Sequence, residues 1–210
     1  MKLLRCALLV PFVAALCGCG GLLRSTAAPE QTYYLRAPAA PSGAAATASV
    51  PPSSLRVARP LADPGLESSH IVLRESDHRM SFYTGSRWPA PMPQMLGSLV
   101  VQTLRASGQW ASVEDSASAF PSDYLLQLSV AHFDADYSDD TGAPPTVRVT
   151  LDCTLGKVEG RDIIATFVAS GSAVASANRL GDVVAAFQQA TDAALASLTQ
   201  QAAAAMRPRG

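Results

Sequence analysis

The sequence predicts an α+β (α/β-like) single domain: a mixed β-sheet with a β-α-β unit, an antiparallel meander and a long C-terminal helix. Three observations predict it. Apolar and polar residues alternate in several runs, most cleanly in the second half of the chain. Two other stretches repeat apolar residues at three- and four-residue spacing. Strand, helix and strand patterns also follow one another in the middle of the chain. At 210 residues the chain can bury one full core and still carry extensions.

Composition narrows the function classes. Apolar residues make up 48% and charged residues 16%, with a net charge of -1. No basic stripe stands out, which excludes nucleic acid as a partner.

The first element is an export signal. Lys2 and Arg5 form a positive start, and Cys6 to Cys17 supply about a dozen apolar residues, interrupted by Pro11. That run is too short to span a bilayer as a helix. Leu16-Cys17-Gly18-Cys19 then resembles the bacterial lipobox, with Leu at −3, small residues at −2 and −1, and Cys at +1. The resemblance implies a signal peptide over 1–18, cleavage before Cys19, and fatty acyl (palmitate) chains on the Cys19 thiol and amine. No cofactor is expected beyond that lipid. Each buried CH₂ contributes ~0.8 kcal/mol, so several chains hold a protein firmly on one leaflet. Gly20 is not the Asp that keeps such lipoproteins in the inner membrane, so the resemblance implies the periplasmic face of the outer membrane. The competing reading is an ordinary signal-peptidase cut after Cys17 or Gly18, which leaves a soluble periplasmic protein. Cys153 is the one cysteine left over in the mature body, so no intramolecular disulfide is available. Its neighbours place it on an apolar strand face, as a small buried hydrophobe.

Residues 19–31 read as a lipidated tether. "TYYLRAP" (Thr32 to Pro38) reads as a short strand, and the Ala/Pro-rich stretch 37–53 as a loop. The body is expected from about Ser54. "SLRVARPL" is a strand with Leu55 and Val57 on one face. "HIVLRE" and "RMSFYTG" are two strands around the turn Ser76-Asp77-His78. A helix begins at the prolines of "PAPMPQML" and stops at Gly108, with Met92, Met95, Leu96, Leu99, Val100 and Leu104 as its stripe. "WASVED" follows as a strand, and that order suggests a right-handed crossover. The meander then places Tyr124, Leu126, Leu128 and Val130 on one face. In the next strand Val147, Val149, Leu151, Cys153 and Leu155 share a face, with Arg148, Thr150, Asp152 and Thr154 opposite. "RDIIATFVASGSAVA" is its third strand. The final helix runs from about Arg179 to Met206. Leu180, Val183, Val184, Phe187, Thr191, Ala194, Leu195 and Leu198 form its stripe, Asn178 is its cap, and Asp182 lies in its first turn. Its other face is mostly Ala and Gln, which suits close packing and self-association. Residues 207–210 are a tail.

Candidate chemistry is thin. In "FDADYSDDTG", Asp134 and Asp136 match two EF-hand ligand positions, but the turn glycine is replaced by Asp139 and the bidentate ligand by Pro145. The run reads as a solvated hairpin, and no metal is assigned. His70, His78 and His132 show no ligand spacing. There is no nucleophile elbow, P-loop or dinucleotide glycine pattern. An enzyme would need His132 and Asp134 or Asp136 to converge with a serine in a cleft. We read the chain as no enzyme. Arg87 and Trp88, just before the helix, are candidates for partner contact, since these residue types anchor interfaces. The competing role for Trp88 is packing against the first helical turn.

The segments together resemble the ABC-type transport auxiliary lipoproteins. The residues that carry this are "YYLR", "LRVARPLADPGLESSHIVLR", "HRMSFYTGSRWPAPMPQML", "SDYLLQLSVAHFDADY" and "ANRLGDVVAAFQQA". The insert after "YYLR", with Phe82 and Pro89, departs from the pattern. The resemblance implies an auxiliary domain over 32–206, working as a non-catalytic accessory subunit through protein–protein contacts. Its implied partners are a mammalian-cell-entry domain protein with an ABC permease and ATPase, moving lipids or hydrophobic compounds. Two other classes share the same anchor and body: an envelope interaction lipoprotein, such as an activator of a cell-wall synthase, and a periplasmic lipid-binding shuttle.

Overall fold

A computed structural model describes residues 30–38, 53–137 and 142–207 of the chain. The expected signal peptide, Cys19, Gly20, most of the tether, most of the Ala/Pro-rich loop and the end of the tail lie outside the described residues.

The elements in chain order are β1 (Gln31–Thr32), β2 (Ser54–Val57), β3 (Leu61–Ala62), a 3-10 turn (Pro64–Leu66), β4 (His70–Glu75), β5 (Met80–Arg87) and α1 (Met92–Ala106). They continue with β6 (Ser112–Glu114), β7 (Tyr124–Tyr137), β8 (Thr146–Lys157), β9 (Ile163–Val174) and α2 (Leu180–Ala205). Among the described residues one mixed sheet of nine strands results, consistent with the predicted class. No helix among the described residues is long and apolar enough to cross a membrane.

β7 organises the sheet. Along one side it pairs antiparallel with β8, from Tyr124 opposite Lys157 to Asp136 opposite Thr146. Along the other side three short strands run parallel to it in succession: β2 at Leu55–Tyr124, β3 at Leu61–Ser129 and β4 at Leu73–Ala135. β6 lies beyond β2, and β5 then β1 lie beyond β4. On its free flank β8 carries β9, antiparallel.

The alternation in β7 changes phase at a bulge between Val130 and His132. Leu126, Leu128 and Val130 are buried before it, and Phe133, Ala135 and Tyr137 after it. One extra residue turns the second half of the strand over, so both halves keep apolar side chains on the core. β8 needs no correction: Val147, Val149, Leu151, Cys153 and Leu155 are all at most 2% exposed.

Both helices and this sheet face form one core. In α1 all six expected stripe residues are buried, and Gly108 follows the helix at φ 63, where a glycine carries no Cβ penalty. In α2, Val183, Phe187, Thr191, Ala194, Leu195 and Leu198 are buried, while Leu180 and Val184 are half-buried. At Gly171 of β9, a Cβ would collide with the Ala190 carbonyl and stand 2.8 Å from the Ala193 Cβ. The missing side chain lets α2 settle onto the edge of the sheet.

Four expectations are corrected. The strand in "TYYLRAP" is β1, only Gln31–Thr32, and Tyr33 to Pro38 continue without strand pairing. The body therefore takes in residues before Ser54: the Tyr33 amide donates to the Arg87 carbonyl at 2.9 Å, and Leu35 is buried. The strand–helix–strand order around α1 holds as β5–α1–β6, but β5 runs antiparallel to β4 while β6 runs parallel to β2 and β7. The two flanking strands thus oppose each other, and the handed crossover of parallel strands does not arise here. Finally, Asn178 does not cap α2. Arg179 occupies the cap position without a side-chain bond, and Asn178 Oδ1 instead accepts from the Tyr137 hydroxyl at 2.6 Å.

Candidate interaction surfaces

The amino-terminal arm is fixed at two points. β1 pairs parallel with the end of β5, Gln31 beside Ser86 and Thr32 beside Arg87. Further on, Gln188 of α2 grips the arm's backbone: the Arg36 amide donates to Gln188 Oε1, and Gln188 Nε2 donates to the Arg36 carbonyl, both at 2.9 Å. A side-chain amide offers one donor and one acceptor, as a neighbouring strand would. Gln188 Nε2 also reaches Asp192 at 2.8 Å, and burial holds the Asp192 carboxyl above its ordinary pKa. The described arm therefore begins at a defined edge of the sheet. Sequence reasoning missed Gln188 because its partner is 152 positions away, and no local spacing reports such a pair.

Arg87 and Trp88 separate. Arg87 is part-exposed and meets Glu30 at 3.3 Å. Trp88 is 0% exposed, with its ring centroid 5.3 Å from Phe187 and 6.0 Å from Phe133, both edge-on. Trp88 thus supports the core from beneath and offers no surface anchor. The competing packing role describes it better, with α2 and β7 supplying the contacts.

The first half of the acidic run, Phe133 to Tyr137, is not the solvated turn expected of it, and residues 138–141 lie outside the described residues. Asp134 and Asp136 sit in β7 and are 0% and 8% exposed, on the side away from Phe133 and Ala135. Arg74 of β4 stands 3.4 Å from Asp134, and Arg148 of β8 stands 2.8 Å from Asp136. His132 Nδ1 lies 3.2 Å from Asp134 Oδ1. His132 and Asp134 therefore do meet, but the third group at that carboxylate is the Arg74 guanidinium and not a serine hydroxyl. Buried carboxylates matched to arginines hold three strands in register. Among the described residues no three metal-ligating side chains gather. His70 instead stacks on Phe82, 4.7 Å between ring centroids, and His78 occupies the β4–β5 turn at φ 66.

An open groove of about 440 Å³ runs between α1 and the segment after β2. Val57, Pro60, Pro93 and Val101 line it, with Arg59 and Arg105 among its polar residues.

Cys153 is buried, and burial pushes its thiol up to about 12. The thiolate needed for nucleophilic chemistry is therefore suppressed at neutral pH.

The fold has solved relatives. A Xanthomonas campestris protein of the family model DUF330 is 24% identical, with 85% of this chain and 96% of that chain covered and a TM-score of 0.72. A second crystal structure, of an uncharacterized protein, is 16% identical, with 83% and 99% covered and a TM-score of 0.61. At these identities the likeness is one of fold. No curated protein matches the chain. Residues 33–203 match the family model described as ABC-type transport auxiliary lipoprotein component. That match takes in nearly every described residue, from the clamped arm to the end of α2, and the chain belongs to the ABC-type transport auxiliary lipoprotein family.

Proposed function

We propose that this protein is an accessory subunit of an ABC transport system that includes a mammalian-cell-entry domain protein, moving lipids or other hydrophobic compounds. In this reading Cys19 carries the lipid, residues 19–31 form the tether, and 32–206 form the working domain on the periplasmic face of the outer membrane. Gly20 permits transfer to that membrane, and the subunit acts by protein–protein contact.

The family match over 33–203 carries the reading. Two features of the molecule support it. The arm clamped by β5 and Gln188 sets the edge of the domain at which the proposed tether joins it. Buried ion pairs and a protonated thiol supply structural roles for the side chains that could have suggested catalysis.

The test is co-purification. The lipidated full-length chain, tagged at its carboxyl terminus and captured from membranes, should bring down the mammalian-cell-entry protein encoded with the permease and ATPase. Capture of a cell-wall synthase in its place, with no transporter component recovered, would overturn the assignment.

A further inference from the structure

β9 is an end strand: it pairs with β8 and with no other strand among the described residues. In an antiparallel ladder alternate residues turn their amide and carbonyl to the neighbour, and those between turn them away. Two bonds settle which are which. The Ala175 amide reaches the Pro145 carbonyl, on the β8 side, at 3.0 Å. The Val168 carbonyl accepts from Gln201 Nε2 of α2 at 2.8 Å, so it points away from β8. The odd-numbered residues thus face β8, and Thr166, Val168, Ser170, Ser172 and Val174 present the free edge.

The strand that forms this edge carries none of the usual guards of its own, and α2 reaches it at Gln201 and Ala193. Exposed edges are normally protected by charges, prolines or bulges. From Ile163 to Asn178 the chain contains no charged residue and no proline. The ladder's one register shift lies at its start, between Leu155 and Gly156, and the rest is regular. Val168 and Val174 are 53% and 67% exposed. Beside the edge, α2 exposes Gln189, Ala193, Ala196, Gln200 and Ala204, again without charge, and Ala193 abuts Gly171 of β9.

The geometry points to a second copy of this chain as the occupant, β9 pairing antiparallel with β9 about a two-fold axis at Ser170. Ser170 then faces Ser170, Val168 faces Ser172 and Thr166 faces Val174, so every outward group meets an outward group and each amide finds a carbonyl. A two-fold interface sets one patch against itself, and an uncharged patch does so without like-charge repulsion. In the single chain Gln201 fills the position at the Val168 carbonyl that the Ser172 amide of the second copy takes on pairing. This inference rests on the fold and is independent of the transport role.

Cysteine cross-linking of the full-length chain in its own membranes tests it. Ser170→Cys should give, on oxidation, a reducible species of twice the chain mass, and Gln127→Cys, exposed on β7, should not. Ser170→Lys sets two ammonium groups face to face and should lower co-capture of differently tagged copies by about tenfold, with the circular dichroism spectrum of the folded chain unchanged. Mixing Ser170→Lys with Ser170→Glu should restore it. Cross-linking of Ser170→Cys no stronger than that of Gln127→Cys, a cross-linked product of another mass, or undiminished co-capture by Ser170→Lys would each overturn the pairing.

Discussion

Cys153 shows how a single side chain takes its chemistry from its surroundings. It sits on the core face of β8, 2% exposed, and its thiol donates weakly to the Leu151 carbonyl at 3.5 Å. Burial is the main cause that moves its pKa from 9.0 to about 12. The folded chain therefore keeps this proton where the unfolded chain has released it. The contribution to stability is complete below about 9 and is lost as the pH rises from there through about 12. Two results are expected. A maleimide at neutral pH leaves the Cys153 peptide unmodified until denaturant is added, as read by mass spectrometry. The melting temperature also falls as the pH rises above about 9, and falls less in Cys153→Ala. Rapid native labelling would contradict the assignment. Trp88 and Tyr137 are governed in the same way. The Trp88 ring lies between Phe133 and Phe187. The Tyr83 and Tyr137 hydroxyls are 2.8 Å apart, and burial raises the Tyr83 pKa.

Elements depend on a few tolerances that residue type sets. α2 reaches β9 because Gly171 has no side chain. Gly171→Ala forces the helix outward or bends the strand, and overpacking of this kind costs about 1–3 kcal/mol. A lower denaturation midpoint by circular dichroism is the expected result, and an unchanged midpoint would show that the helix yields freely. The bulge in β7 is the second such device, since without its extra residue Phe133 and Ala135 would face outward and Asp134 and Asp136 inward. Much at this scale was legible beforehand. The stripe of α1, the even alternation of β8 and the β4–β5 hairpin around His78 follow from local periodicity. The phase change in β7 was not drawn from this pattern, although apolar residues pass from even positions (Leu126, Leu128, Val130) to odd ones (Phe133, Ala135, Tyr137), because the acidic residues between them suggest a solvated turn. Nor was the Asn178 bond, because the competing partner Tyr137 is 41 positions away.

At the scale of the whole molecule, the amino-terminal arm belongs to the body. The arm from Glu30 to Pro38 is held by β5 and α2, so the proposed anchor, ten residues and more before it, pulls on the sheet edge and on α2 together. Gly20→Asp is expected to move the protein from the outer-membrane fraction to the inner-membrane fraction on a density gradient without changing its melting temperature. A protein that remained in the outer membrane would remove Gly20 from the sorting role. The unguarded edge at β9 lies on the opposite flank of the sheet from β1. The proposed anchor and the proposed pairing would therefore use different sides of the body.

The sequence by itself determined the kind of protein this is. An apolar run before Cys19, strand and helix periods and a set of soft motifs point to an α+β auxiliary lipoprotein, because each of those signals is local and is written in neighbouring residues. Only the tertiary structure decided which groups meet: Trp88 in the core, Asp134 and Asp136 matched to arginines, Gln188 on the arm, and β9 at the rim. The physical reason is that burial and hydrogen-bond satisfaction are settled between segments far apart in the chain. A strand carries the same pattern of residues at the centre of a sheet and at its edge, and only its neighbours make it one or the other.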